Sequence, residues 1–354
     1  MELEIIKTTH PKNKPDFNQL GFGKYFTDHM LIMKYKEGQG WYQAQIKAYE
    51  PISLSPSALI FHYGQETFEG LKAYKNKKGQ ISLFRPMDNL HRMNRSNDRM
   101  CMPMIDPEFV LDALKKLLVL DSEWIPTEVG TSLYIRPFMI ATEESLGVKV
   151  SSEYLFMIIL SPVGSYYAEG LKPTSIHVED QYARAMQGGT GEAKCGGNYA
   201  VSLKPYEMAK KAGYSQVLFL DGKDKKYIEE IGTSNAFFVI DNEIITTPLV
   251  GTILPGITRD SIIRIAKDKG YKVSERLLSI EEIENAYDSN KLNEAFASGT
   301  AAVISPIGVL TYKDKKMVIN NNEIGKISQE LYDSLTSIQT GVVANPYQWV
   351  MHIN

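Results

Sequence analysis

The chain alternates short apolar stretches with polar, breaker-rich turns, and the period of that alternation predicts its elements. Residues 58–64 (ALIFHYG) and 80–84 (QISLF) read as strands, separated by Glu66–Tyr74 and a charged turn at Lys75–Gly79. Arg85–Arg99 reads as a helix with Pro86 in its first turn. Pro107–Leu120 is an amphipathic helix, because Phe109, Val110, Ala113, Leu114, Leu117 and Leu118 fall on one stripe. Ser132–Ile140 and Tyr154–Leu160 are predicted strands. Breakers then cluster at Pro162, Gly164, Gly170 and Pro173, which marks a linker.

Beyond the linker a strand is expected at Thr174–Glu179 and a helix at Tyr199–Ala212, closing at Gly213. Two hairpins follow. Gln216–Leu220 and Lys226–Glu229 turn at Asp221-Gly222-Lys223, and Ala236–Ile240 and Glu243–Thr246 turn at Asp241-Asn242. A helix at Arg259–Lys269 ends at Gly270, strands are expected at Val273–Leu277, Glu294–Ala297 and Ala302–Leu310, and Lys326–Thr340 forms a last helix. The class is α+β in two domains, a smaller N-terminal one (1–165) and a larger one (176–354) joined by 166–175. The regular βαβ rhythm of a doubly wound sheet is missing.

Length and charge narrow the function. With 354 residues, the chain suits about two domains. Lysine and arginine total 39 against 42 aspartates and glutamates, so nothing in the balance argues for nucleic acid or a polyanionic surface. Two cysteines, Cys101 and Cys195, exclude a disulfide framework and suit a reducing, cytoplasmic setting. The longest apolar run, Tyr154–Leu160, is far short of the ~20 residues a membrane span requires. No secretory or transit pattern opens the chain.

The densest candidate chemistry is Gly188–Tyr199, GGTGEAKCGGNY, where five glycines surround a single lysine, Lys194. A lysine in such a turn suits a phosphate binder or a Schiff-base nucleophile, or is an exposed residue of a glycine-rich turn. The spacing matches neither the P-loop nor the dinucleotide fingerprint. In YIEEIGTSN (227–235), strand alternation sends Glu229 and Glu230 to opposite faces, so one alone could face a cationic heterocycle. GTILPGIT (251–258) leads into a helix whose first N–H groups form an anion site, with Thr258 as its expected N-cap. Ser298-Gly299-Thr300-Ala301 offers hydroxyls and small residues for close approach. Arg136, inside the apolar strand SLYIRPF beside Tyr134, needs an anionic partner or a wet pocket.

These pieces, in order, resemble one family. FGKYFTDHM (from Phe22), FEGLKAY, TSLYIRP, AKCGGNYA, EEIGTSN, ILPGITR and ASGTA are similar to the motifs of branched-chain amino acid aminotransferases, the pyridoxal-phosphate enzymes of fold type IV, over nearly the whole chain. The resemblance implies a larger C-terminal domain built as a β-rich pseudo-barrel, with pyridoxal 5′-phosphate as cofactor. It implies that Lys194 is the catalytic lysine, binding the cofactor and shuttling a proton to and from the substrate Cα. Tyr199 would bond the cofactor phenolate, Glu230 would face the ring nitrogen, and Arg92, Ile257, Thr258 and Thr300 would hold the phosphate, with Thr233 beside cofactor and substrate. Phe22, Tyr63, Phe68, Tyr134 and Tyr166 would line an apolar pocket for leucine, isoleucine and valine. Arg136 with Tyr134 would receive the γ-carboxylate of glutamate, and the Ala301 amide and Tyr63 hydroxyl the α-carboxylate. Leu146 and Val148, in ATEESLGVKV, would reach the other subunit's pocket, which implies a homodimer; no metal, nucleic-acid or membrane partner is expected. A C-x-x-C redox pair found in some members is replaced here by Ala302 and Ser305. Two other reading classes stay open at this level: another reaction on the same fold, such as D-amino acid transamination or aminodeoxychorismate lysis, and a non-catalytic binding protein. The aromatic set argues against the first, and intact Lys194, Tyr199 and Glu230 against the second.

Overall fold

The computed structural model describes residues 1–164, 171–343 and 346–353. Proximity divides them into two compact units. The first takes the described residues of Met1–Ala168, Ala193–Gly196 and Ile338–Asn354, and the second those of Glu169–Glu192 and Gly197–Ser337. The lysine tetrapeptide and the C-terminal segment thus pack with the first unit although they follow the expected linker in the chain. That linker, 166–175, begins among residues outside the described ones, as does Tyr166.

The first unit runs β1 (Leu3–Ile5), β2 (His29–Lys36), β3 (Gly40–Ala48), α1 (Leu59–Tyr63), β4 (Glu66–Phe68), β5 (Leu71–Lys75), β6 (Ile81–Phe84), α2 (Pro86–Arg99), α3 (Pro107–Leu120), β7 (Ser132–Ala141) and β8 (Glu153–Val163). Its spine is the antiparallel β7–β8 pair, in register from Ser132 opposite Val163 to Ala141 opposite Tyr154. The helix expected at Pro107–Leu120 forms as read. Asp106 caps it by accepting from the Glu108 and Phe109 amides, Pro107 opens it, and Val110, Ala113, Leu114, Leu117 and Leu118 are buried in the core with Ile135, Phe156 and Ile158.

Residues 58–64 are a correction. They form the short helix α1, closed by Gly64 in the left-handed conformation, with its N–H on the Ile60 carbonyl. A short apolar run without alternation suits helix or strand equally, and here the following glycine supplies the stop. The β2–β3 hairpin, which no turn signal had marked, closes at Gly38 (φ 81°) and Gly40 (φ 80°).

The second unit continues with β9 (Thr174–Glu179), α4 (Gly197–Ala200), α5 (Leu203–Lys211), β10 (Gln216–Leu220), β11 (Ile228–Ile231), β12 (Ser234–Ile240), β13 (Glu243–Thr246), α6 (Ile257–Asp268), β14 (Lys272–Glu275), α7 (Ile280–Asp288), β15 (Leu292–Gly299), β16 (Val303–Tyr312), β17 (Lys315–Val318) and α8 (Lys326–Gln339). Strand β18 (Val350–Ile353) then pairs antiparallel with β6 of the first unit's sheet. In the second unit the order β11-β10-β9-β16-β15-β12 closes through a β11–β12 pairing, so six strands form a barrel. Phe238, Ile245, Leu218, Leu310 and Ile283 are among its buried core residues. Closure leaves those six strands without the exposed edge that invites misassociation.

Local chemistry explains two further differences. The helix expected at Tyr199–Ala212 breaks into α4 and α5, because Pro205 must lie in a first turn and the Ser202 hydroxyl bonds the Tyr199 carbonyl (2.7 Å). The β10–β11 connection runs over Asp221–Tyr227 rather than a tight turn, because the Asp221 carboxylate accepts from the Asp224, Lys226 and Tyr227 amides. The β12–β13 turn is as read, with Asp241 (φ 52°) and Asn242 (φ 64°) both left-handed. Among the described residues no helix is long and apolar enough to cross a membrane.

Phe238 is 1% exposed within the barrel core. Phe238→Ala is expected to cost about 3–5 kcal/mol of stability, read as a lowered urea midpoint with β content retained in circular dichroism.

Candidate active site

In the first unit, the Lys194 tetrapeptide is tied to β4 and α2. The Lys194 carbonyl accepts from the Phe68 amide (3.0 Å), the Lys194 amide donates to the Ser96 hydroxyl (2.9 Å), and the Gly196 amide donates to the Glu66 carboxylate. Gly196 suits that contact, since a Cβ there would push the Glu66 carboxylate aside. The ammonium of Lys194 lies 4.8 Å from the centre of the Phe68 ring.

Beside it sits a buried ion pair. Arg92 Nε donates to Glu69 Oε1 (2.7 Å) and Nη2 to Oε2 (2.9 Å), and Asn89 donates to Oε2 (2.8 Å). Burial alone would raise the Glu69 carboxyl, but the Arg92 guanidinium, with Lys194 and Asn89, outweighs it and holds the group below the usual carboxylate range. Burial, reinforced by the Arg92 and Arg136 cations, pulls the Lys194 amine down to about 8 against Glu69 and Tyr134. A neutral, nucleophilic amine is therefore accessible near neutral pH.

Strand β7 alternates strictly between core and half-buried positions, which puts Tyr134 and Arg136 on one face. Arg136 Nη2 donates to the Tyr134 hydroxyl (3.1 Å), and its guanidinium carbon lies 4.8 Å from the Phe68 centroid. Its buried Nε has no partner. Gly70 gives the Tyr134 hydroxyl room where a Cβ would collide with it. Phe22 meets Tyr134 edge-on at 5.0 Å. Phe22, Phe68, Tyr134, Arg136, Arg92 and Lys194 thus form one continuous cluster. Tyr63 donates its hydroxyl to the Leu146 carbonyl, and Leu146 and Val148 are exposed.

In the second unit, Glu230 is buried and held at both oxygens, by Arg184 Nη2 (2.8 Å) and by Asn235 Nδ2 (2.9 Å). Arg184 also donates to the Gly191 (3.3 Å) and Thr252 carbonyls, and Asn235 to the Leu254 carbonyl (3.0 Å). Glu230 therefore anchors the glycine-rich loop and the loop before α6 to the barrel. Glycines make this closeness possible: a Cβ on Gly191 would strike the Thr252 carbonyl, and one on Gly256 the Asn235 side chain. Asn235 also pairs in register with Ser298, whose buried hydroxyl lacks a partner.

The N-cap of α6 is Gly256, with no side-chain cap, which corrects the expectation for Thr258. The extended conformation a cap needs occurs at Gly256, so Ile257 and Thr258 lie inside the first turn, Thr258 buried and Ile257 half-buried. Thr233 is exposed at the β11–β12 turn, while Tyr199, Thr300 and Ala301 are half-buried. The turn ends at Val303 with φ 65°, a strained conformation for a β-branched residue. Sequence reasoning passed over Glu69, Asn89, Arg184 and Asn235. Glu69 and Asn235 lie inside the FEGLKAY and EEIGTSN motifs, whereas no spacing marks Asn89 or Arg184, which act by meeting a carboxylate brought to them from elsewhere in the fold.

The model of the amino-transferase class IV family matches residues 66–309. The chain belongs to the class IV aminotransferases. Curated relatives in the family cover it almost end to end. "Branched-chain-amino-acid aminotransferase 2" of Bacillus subtilis is 54% identical over 351 residues, 99% of this chain and 97% of that protein. A "probable branched-chain-amino-acid aminotransferase" of Staphylococcus aureus is 55% identical over 350 residues, 99% of this chain and 97% of its own length. Among solved structures, the Escherichia coli branched-chain amino acid aminotransferase superposes with a TM-score of 0.74 at 26% identity, covering 92% of this chain and 99% of its own. The T.th. branched-chain amino acid aminotransferase with pyridoxamine 5′-phosphate gives 0.75 at 27%, covering 92% and 98%. The barrel and α+β class expected from sequence agree with this fold family.

In a class IV aminotransferase built this way, the Lys194 amine is expected to react with an amine-selective reagent along a pH curve centred near 8 in cofactor-free protein. Glu69→Gln removes an anion that raises the lysine pKa, so the midpoint is expected to move lower. A midpoint that stays put or rises would refute the coupling.

Proposed function

We propose that this chain transfers amino groups between leucine, isoleucine or valine and 2-oxoglutarate, giving branched-chain 2-oxo acids and L-glutamate, with pyridoxal 5′-phosphate as cofactor. The observation that carries the reading is the Lys194 amine, lowered to about 8 and held against Phe68 beside the Arg136–Tyr134 pair. The near full-length similarity to branched-chain enzymes supports the substrate class.

The donor set fits the cofactor. One unit offers a depressed lysine amine, and the other a clamped buried carboxylate and an α6 N-terminus with no side-chain cap, which suits a phosphate. Pyridoxal phosphate, when bound, supplies an electron sink. Lys194 would be its attachment point, Glu230 its ring-nitrogen partner and Tyr199 its phenolate partner. Arg92, Ile257, Thr258 and Thr300 would hold the phosphate, with Thr233 beside it. The Lys194 Nζ takes the proton from the substrate Cα and holds it as an ammonium stabilised by Glu69. Phe22, Phe68 and Tyr134, with Tyr63 and Tyr166, would bury the aliphatic side chain, at about 0.8 kcal/mol per methylene. Arg136, with its unpartnered Nε, would bind the γ-carboxylate of glutamate in the same pocket. The Ala301 amide and the Tyr63 hydroxyl would take the α-carboxylate.

The exposed apolar pair Leu146 and Val148 supports a homodimer in which each subunit completes its partner's pocket. Free Cys101 and Cys195 suit a reducing cytoplasm.

The deciding test is the visible absorption of the cofactor-loaded protein. Leucine is expected to change it and 2-oxoglutarate to restore it; a spectrum that leucine leaves untouched would overturn the substrate class. Lys194→Ala is expected to abolish turnover while keeping the fold, and normal turnover would refute its role. Arg136→Ala is expected to raise KM for glutamate and 2-oxoglutarate more than for leucine; equal losses would refute the second binding mode.

A further inference from the structure

The second unit holds a cleft that the proposed reaction does not use. It has a volume of about 530 Å³, within the range of small-molecule sites, and it opens behind β11 on the Glu229 side. Met186, Tyr227, Ile228, Val250 and Leu277 give it apolar walls. Gly222 shapes one wall, since a Cβ there would collide with the Met186 side chain.

Its polar floor is unusual. Glu229 is 4% exposed and Thr252 6% exposed, both line the cleft and they face each other, and beyond that mutual contact neither Glu229 Oε2 nor the Thr252 hydroxyl has a hydrogen-bond partner. Unpartnered buried polar atoms are costly and call for a partner. The surrounding charge says which kind. Asp221, Asp224 and Glu229 line the cleft against Lys223 alone, and the nearby Arg184 directs Nη2 to Glu230. Burial raises the Glu229 carboxyl to about 7, with Glu230 and Asp221 adding to the rise and Thr252 and Arg184 opposing it. A cation arriving there would favour the carboxylate.

We propose that this cleft is a second ligand site, which takes a small organic cation: an ammonium group that donates to Glu229 and Thr252 and carries a short aliphatic body against the apolar walls. The Asp221 carboxylate is spent on the Asp224, Lys226 and Tyr227 amides, and among the described residues no group of acids is placed to surround a hard metal cation, whereas one protonated nitrogen matches Glu229 and Thr252.

Triethylammonium is a suitable probe, since a tertiary amine does not condense with an aldehyde as a primary amine does. Titrated calorimetrically into the holoenzyme at pH 8 and constant ionic strength, it is expected to bind saturably in the millimolar range, as its few heavy atoms allow. Glu229→Gln is expected to weaken binding about tenfold. Val250→Trp, at the exposed rim, is expected to block it by filling the cleft with Glu229 intact. Binding is also expected to weaken below about pH 7, as Glu229 takes up a proton. Absence of saturation at tens of millimolar, or binding that neither substitution alters, would overturn the site. So would loss of the signal to an equal concentration of potassium chloride, which would mark general screening. Leucine-dependent spectral change is read separately, so failure here leaves the aminotransferase reading standing.

Discussion

A primary amine can act as a nucleophile only after it loses its proton, and the surroundings of Lys194 in the first unit favour that loss. Lys194 is drawn out of water onto the Phe68 ring, between the Arg92 and Arg136 cations. Two guanidinium groups next to a lysine would drive the cluster apart without a counter-charge, and Glu69 supplies it, fully buried and bonded by Arg92 and Asn89. The pair is too well enclosed to ionise differently, so the flexible member of the set is the lysine. That single charge arrangement explains why FEG carries both its acid and its glycine. Glu69 balances the cations, and Gly70 admits the Tyr134 hydroxyl that receives Arg136.

The second unit solves a related problem for a carboxylate. Strand β11 places adjacent acids on opposite faces, and the two have opposite fates. Glu230 is held at both oxygens by Arg184 and Asn235, whose remaining bonds reach the backbone of two loops. Its orientation is therefore set by the closed barrel and not by a mobile side chain. Glu229 lacks that clamp, stays partly unsatisfied and turns to the cleft. The glycines at 191 and 256 serve this packing, because each marks a place where a loop approaches too near for a Cβ.

Much of the architecture was legible before any coordinates. The Pro107 start of α3, its apolar stripe and the Asp241-Asn242 turn are decided within a few residues, and they form as read. Residues 58–64 misled because an unalternating apolar run has no period to read, and the Tyr199–Ala212 helix broke where Pro205 and Ser202 intervene. Of the candidate site, Lys194, Tyr199, Glu230 and Arg136 were named from sequence, whereas Glu69 and Asn235 were passed over although they lie inside the FEGLKAY and EEIGTSN motifs. The lysine, arginine and aromatic members of the first unit lie in one cluster. Arg184 and Asn89 were not named, since no motif or period distinguishes them from ordinary surface residues.

The sequence by itself determined the family and the class of fold, and it supplied the candidate reactive side chains, because these depend on residue types at fixed short spacings. Tertiary structure alone decided which charges meet. It set Lys194 against Phe68 and Glu69, more than a hundred residues away in the chain, brought the C-terminal β18 back to β6, and gave neighbouring Glu229 and Glu230 different surroundings. The reason is physical. Propensity and capping act over one or two turns of chain, whereas the state of an ionisable group depends on burial and on charges within a few ångströms, whatever their distance in sequence.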